Sequence, residues 1–219
     1  MGTSKARVML VDDHAMFRHG MEMLINREAD MEVFAEASDS EEALAILKKP
    51  DHHPDIILMD VSLKTHSGLE VIKKVHNVIP AMPVLVVSMH DEAVYAERAL
   101  RVGAQGYVMK QEPGKVLVMA IREVLKGNLY LSNQMQARLL KRMSAGNLEP
   151  KPLISNLTPA EFEVLHLIGA GHSSQQIAHL LNRSVKTIET HRYNIRTKLN
   201  LKDGADLIRY ASQCVSDGH

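Results

Sequence analysis

The chain has 219 residues, of which 45% are apolar and 4% aromatic, with 26 basic and 26 acidic side chains. That length suits two modest domains, and the apolar share excludes wholesale disorder. A single cysteine, Cys214, excludes a disulfide framework or a multi-cysteine metal site, and no apolar run approaches the roughly 20 residues of a membrane span.

Along residues 1–127, short apolar runs alternate with amphipathic stretches. Strands are predicted at Arg7–Val11, Met31–Ala37, Ile56–Met59, Val84–Ser88 and Gly106–Met109, several of them apolar enough to be buried on both faces. Helical patterns fall at His14–Asn26, Ser40–Lys49, Gly68–Asn77, Glu92–Val102 and Pro113–Lys126. Five such units imply a doubly wound parallel sheet with helices on both faces. Residues 127–153 read as a linker with a helix at Gln134–Met143. Beyond it every signal is helical: a start at Thr158-Pro159 closed by Gly169-Ala170-Gly171, then Ser173–Leu181, Ser184–Leu199 and Asp203–Cys214. The expected fold is therefore α/β plus all-α, with an α/β domain at 6–126 and a four-helix domain at 154–217.

Charge is unevenly spread. Residues 1–127 hold 15 basic and 19 acidic side chains, and residues 151–219 hold 8 and 6. Acidic chemistry is thus expected at the front and polyanion contact at the back.

In an open parallel sheet the site lies beyond the carboxyl ends of the strands. Asp12, Asp13, Asp60, Ser88 and Lys110 all fall there. Three carboxylates in one crevice raise one another's cost of ionisation, which a hard divalent cation relieves. A hydroxyl and an ammonium beside them suit phosphoryl oxygens. The economical chemistry is attack by a carboxylate on a phosphoryl donor, with Asp60 as nucleophile and the Asp12-Asp13 pair holding metal.

Val11-Asp12-Asp13-His14, Leu58-Met59-Asp60, Val87-Ser88 and Gly103 through Lys110 resemble the receiver domain of two-component response regulators. The resemblance implies a flavodoxin-like fold, Asp60 as phosphoacceptor, and magnesium (or manganese) held by Asp12, Asp13, Asp60 and the carbonyl of Ser62. It also implies Ser88 and Tyr107 as a switch pair and Lys110 on the phosphoryl group. Gly68 sits eight residues after the acceptor, as in the family. Two departures stand out: Leu63-Lys64 replaces the usual Met-Pro, and Gln111 replaces the proline after Lys110.

In the back domain, Ile177, Ala178 and Leu181 share one helical face, and Val185, Ile188, Ile195 and Leu199 share one on the next helix. The opposite face is read as Lys186, Thr187, Glu189, Thr190, Arg192, Tyr193 and Arg196, with His191 alongside, types that suit phosphates and base edges. This stretch resembles the LuxR-type helix-turn-helix, and its pairing with a receiver resembles NarL/FixJ response regulators. The resemblance implies a cytoplasmic transcription regulator rather than an enzyme, partnered by a sensor histidine kinase and double-stranded DNA, homodimeric on activation and without membrane contact. Two other readings compete: a magnesium phosphohydrolase, for which Ser62 is a poor acid or base, and a receiver that works without phosphorylation. The 12 His residues read mostly as solvated surface, the 13 Met as apolar packing and Cys214 as a packed side chain. His14 and His90 are expected as polar fill beside the acidic site.

Overall fold

The structure, a computed structural model, describes residues 5–49, 53–63, 67–144, 154 and 157–216. It divides into two compact units, Met1–Gln136 and Ala137–His219. In the first, β1 (Ala6–Val11), β2 (Met31–Ala37), β3 (Ile56–Met59), β4 (Val84–Ser88) and β5 (Gly106–Met109) form one parallel sheet in the order β2-β1-β3-β4-β5. Between and after them run α1 (Ala15–Asn26), α2 (Ser40–Leu47), α3 (Gly68–Val78), α4 (Glu92–Arg101) and α5 (Gly114–Leu125), and the division between the units falls within α6 (Asn133–Ser144). These bounds fall within two residues of those expected.

Every residue of β3 and β4 is buried, as strands covered on both faces require. Val8, Leu10, Leu58, Leu85 and Val87 pack on Met21 and Ile25 of α1 and on Leu117, Ile121 and Val124 of α5. Each α/β unit thus buries the apolar stripe of its helix, and this removal of apolar surface from water is the main favourable contribution to folding. Strand order reverses between β1 and β3, so their carboxyl ends open the crevice in which a ligand would lie.

Strand β2 carries a bulge: Val8 pairs with Val33 but Met9 pairs with Ala35, leaving Phe34 as the extra residue. At the other edge Tyr130 pairs with β5, its N–H donating to Gln105 and its carbonyl accepting from Tyr107. Gly106 allows this approach, since a Cβ there would lie 2.8 Å from the Tyr130 carbonyl oxygen. The next turn is fixed by Glu92, a buried carboxylate in the first turn of α4, which accepts the Ser132 N–H at 2.8 Å. Ser132 Oγ in turn accepts the Met135 N–H and caps α6.

The second unit contains α7 (Pro159–Gly169), α8 (Ser174–Leu180), α9 (Val185–Lys198) and α10 (Gly204–Ser216). Thr158 with Glu161, and Ser173 with Gln176, form capping boxes, and Ser184 caps α9 through the Thr187 N–H. Phe162, Leu165, Ile177, Ile188, Ile195, Leu207 and Ala211 form the buried core, with Cys214 packed beside them. Asn182, just after α8, takes a left-handed conformation at φ 49° that turns the chain toward α9. Val185 departs from expectation: it is 43% exposed rather than part of the apolar stripe. As the first residue of α9 it extends past the end of the packed interface, so only Ile188, Ile195 and Leu199 are buried there. Among the described residues no helix is long and apolar enough to cross a membrane.

Candidate functional site

Asp12 and Asp13 follow β1, Asp60 follows β3, Ser88 ends β4 and Lys110 follows β5, so one crevice receives all five. Asp12 is 1%, Asp60 3% and Ser88 0% exposed. Lys110 Nζ stands 2.6 Å from Asp12 Oδ2 and 2.8 Å from Asp60 Oδ2, joining the two carboxylates through one ammonium. The ring of Phe17, on α1, lies 4.6 Å beneath that ammonium. Burial lifts the Asp60 carboxyl above the ordinary carboxylate range, the Lys110 charge opposes this, and the Asp12 charge adds to it.

Ligand atoms of Asp12, Asp13, His14 and Asp60 all lie within 4.8 Å of one another. Asp12 Oδ2 and Asp13 Oδ1 are buried without a well-directed hydrogen bond, although Lys110 and the His14 ring stand close to them. Inward-turned carboxylate oxygens with spare acceptor capacity fit a hard divalent cation. His14 is not mere fill: its Nδ1 lies 2.8 Å from Asp13, 3.3 Å from Asp12 and 4.0 Å from Asp60.

Behind the carboxylates, His90 gathers the other expected residues. Its N–H donates to Ser88 Oγ at 3.1 Å, and its carbonyl accepts the Tyr107 hydroxyl at 2.9 Å. Its Nε2 lies 2.7 Å from Ser62 Oγ, and its ring stacks on Tyr95 with centroids 4.5 Å apart. Tyr107 is buried, which pushes its phenol well above its ordinary range. Reading His90 as polar fill missed this, because its partners come from three separate segments. Ser62 N–H donates to Asp60 Oδ1 at 3.3 Å, which seats Ser62 against the acceptor. Gly68 lies against the acceptor loop: a Cβ there would sit 1.8 Å from the Asp60 carbonyl oxygen. Lys64 lies outside the described residues.

On α9, Lys186, Glu189, Thr190 and Tyr193 are exposed, with Tyr193 at 66%. Thr187, His191 and Arg196 are half-buried and flank that face rather than forming its centre, and half-buried Arg192 lies toward the packed side. Arg196 Nη2 donates to the Lys202 carbonyl at 3.2 Å, and Arg192 Nε lies 3.9 Å from Glu189 Oε1. The expectation that Arg192 shares the opposite face is corrected: four residues after Ile188 and seven before Leu199, it falls on the packed stripe at 100° per residue. Thr197, absent from the expected set, is exposed at three and four residues from Asn194 and Tyr193 on the same side.

Comparison with known proteins agrees with both halves. Residues 8–122 match the response regulator receiver domain, and residues 155–211 match the bacterial regulatory proteins of the luxR family. The oxygen regulatory protein NreC of Staphylococcus haemolyticus is 35% identical over 210 residues, covering 94% of this chain and 96% of that protein. A LuxR-family two-component response regulator from Aurantimonas sp. is 34% identical over 64% of this chain and 99% of that one, with a TM-score of 0.59. RcsB of Salmonella enterica serovar Typhimurium, bound to promoter rprA in the presence of phosphomimetic BeF3−, is 27% identical over 95% of this chain and 99% of that one, with a TM-score of 0.60.

Proposed function

Because the chain belongs to the two-component response regulators that join a receiver to a LuxR-type DNA-binding domain, and so is a transcription regulator and not an enzyme, we propose that Asp60 accepts a phosphoryl group from a sensor histidine kinase. The phosphorylated chain then acts in the cytoplasm as a DNA-bound homodimer. The receiver spans residues 6–126, the linker 127–153 and the DNA-binding domain 154–217.

Lys110 carries this reading. An ammonium held by Asp60 and Asp12 inside a buried crevice gives a nucleophilic oxygen and a cation on the same side of an incoming phosphoryl group. An Asp60 oxygen attacks phosphorus, the bond from phosphorus to the donor breaks, and the donor leaves with that electron pair. Lys110 transfers its contact from the carboxylate to a phosphoryl oxygen. Asp12, Asp13, Asp60 and the Ser62 carbonyl would hold magnesium or manganese, which when bound offsets the negative charge gathered on carboxylate and phosphoryl oxygens. The Ser88 hydroxyl then exchanges the His90 N–H for a phosphoryl oxygen, and Tyr107, tied to the carbonyl of the same His90, follows the loop.

In the second unit Lys186, Glu189, Thr190 and Tyr193, flanked by Thr187, His191 and Arg196, form the DNA-facing surface of α9. Lysine and threonine suit phosphate and base edges, and Glu189 suits the amine of cytosine. A dimer places two such helices on two half-sites.

The test is intact mass, sizing and gel shift after treatment with acetyl phosphate and magnesium, on wild type and Asp60→Asn. One phosphoryl addition, a larger species and tighter DNA binding are expected of wild type, and none of these in the variant. Addition that persists in Asp60→Asn would remove Asp60 as acceptor. Addition with unchanged sizing and DNA binding would remove the switch.

A further inference from the structure

Beyond the carboxylates themselves, the position of Asp12 depends on a group the site does not contain. Its carbonyl lies just past the end of the β1 ladder, and its N–H donates to the Ala37 carbonyl at 3.1 Å. The Asp12 carbonyl accepts from Arg18 of α1, whose Nη1 reaches it at 2.5 Å. Arg18 Nε donates to Glu36 Oε2 on β2 at 3.0 Å, so the guanidinium is clamped between a strand and the carbonyl. Its side chain is only 17% exposed.

Glu36 faces Arg18 because of the bulge in β2. Paired residues of neighbouring parallel strands share a face, and Leu10, which packs on α1, pairs with Glu36. Had the register of Val8 with Val33 continued, Ala35 would stand opposite Leu10, and Glu36 would turn to the other face. The extra residue, Phe34, re-aims one carboxylate onto α1, a use bulges commonly serve beside functional sites.

We propose that Arg18 is a positioning residue for the metal site. With Nε anchored on Glu36, its Nη1 bond to the Asp12 carbonyl fixes the peptide between Asp12 and Asp13, and so the directions from which both carboxylates approach one cation. Glu36 holds the guanidinium in place, and the bulge delivers Glu36. This rests on the metal role given above to Asp12 and Asp13.

The test is titration of the full chain with Mn2+ alone, free ion being read from its electron paramagnetic resonance signal, on wild type, Arg18→Met, Arg18→Lys and Glu36→Ala. Loss of such a supporting contact typically weakens metal binding by about 10-fold or more. About a 10-fold rise in Kd is therefore expected for Arg18→Met, a smaller one for Arg18→Lys, which keeps one bond, and a few-fold rise for Glu36→Ala. Phosphorylation by acetyl phosphate should then need more Mn2+ but return close to the wild-type rate at saturation, which general loosening of the fold would not allow. Wild-type affinity in folded Arg18→Met overturns the proposal and leaves the metal site standing. If Arg18→Met does not fold, wild-type affinity in both Arg18→Lys and Glu36→Ala overturns it equally. No Mn2+ uptake by wild type overturns the metal reading and this inference together.

Discussion

Asp12, Asp60, Ser88 and Lys110 are almost wholly enclosed and already bonded to one another or to the loop beside them, whereas Lys186, Glu189, Thr190 and Tyr193 lie on an open helix face. The contrast separates two ways of storing chemistry. In the crevice, charges are held against their own repulsion and desolvation, so stability and function draw on the same groups. On α9 the packed stripe of Ile188, Ile195 and Leu199 holds the helix, and the outward side chains are free to serve a ligand without serving the fold.

The largest test of that contrast is Lys110→Met. Removing one partner of a buried ion pair typically costs about 3–5 kcal/mol, and urea denaturation without divalent ion should show a loss of that order. Magnesium should then restore more stability to the variant than to wild type, since the ammonium no longer competes for Asp12 and Asp60. Equal restoration would mean that ammonium and ion use different oxygens. Next comes Gly68→Ala, where the added carbon meets backbone rather than a flexible side chain. Overpacking of this kind costs about 1–3 kcal/mol, and the displaced Asp60 should take up phosphoryl more slowly by intact mass. A wild-type rate would show that the loop yields without moving the carboxylate.

The second unit encloses charge as well, Glu161 and Glu163 both being buried, and Glu161 sharpens the comparison. Burial raises the Glu161 carboxyl, but Lys198 at 2.6 Å and the amide and hydroxyl of Thr158 outweigh that and hold it below its ordinary value of 4.5. A carboxyl depressed on folding adds stability that is present above the unfolded value and lost as pH falls through the folded one. Glu161→Gln should therefore cost about 1 kcal/mol at neutral pH, and the gap from wild type should close in acid below about pH 4.5. A gap independent of pH would assign the cost to capping alone. The smallest effect on stability is expected from Lys186→Ala and Tyr193→Ala, within about 0.5 kcal/mol. Each should nevertheless weaken DNA binding about 10-fold in gel shifts. Loss of stability in step with affinity would erase the distinction between the two regions.

The same distinction decides what could be read from residues alone. Runs such as Ile56–Met59, apolar throughout and closed by Asp60, announce both a buried strand and the acid at its end. Burial constrains residue type at every position there, so fold and crevice were legible together. The supports of the crevice were not. Strict alternation through Met31–Ala37 places Glu32 and Glu36 on one face, and nothing in the residues marks Phe34 as the bulge that separates them. His90 was equally hidden, since its contacts join Ser62, Ser88 and Tyr107 across long stretches of chain. On α9 the buried stripe was legible, but the half-buried flank was not, because exposed positions accept many residue types at little cost.

The turn at Ser132 has a mechanical corollary. The first turn of α4 and the cap of α6 share one carboxylate, Glu92, which lines the same cavity as Tyr107. Parting them strands a part-buried amide or a buried carboxylate at a cost of about 1–3 kcal/mol, so the starts of the two helices are held to one another. The path by which the chain leaves the sheet is therefore set one carboxylate away from the tyrosine.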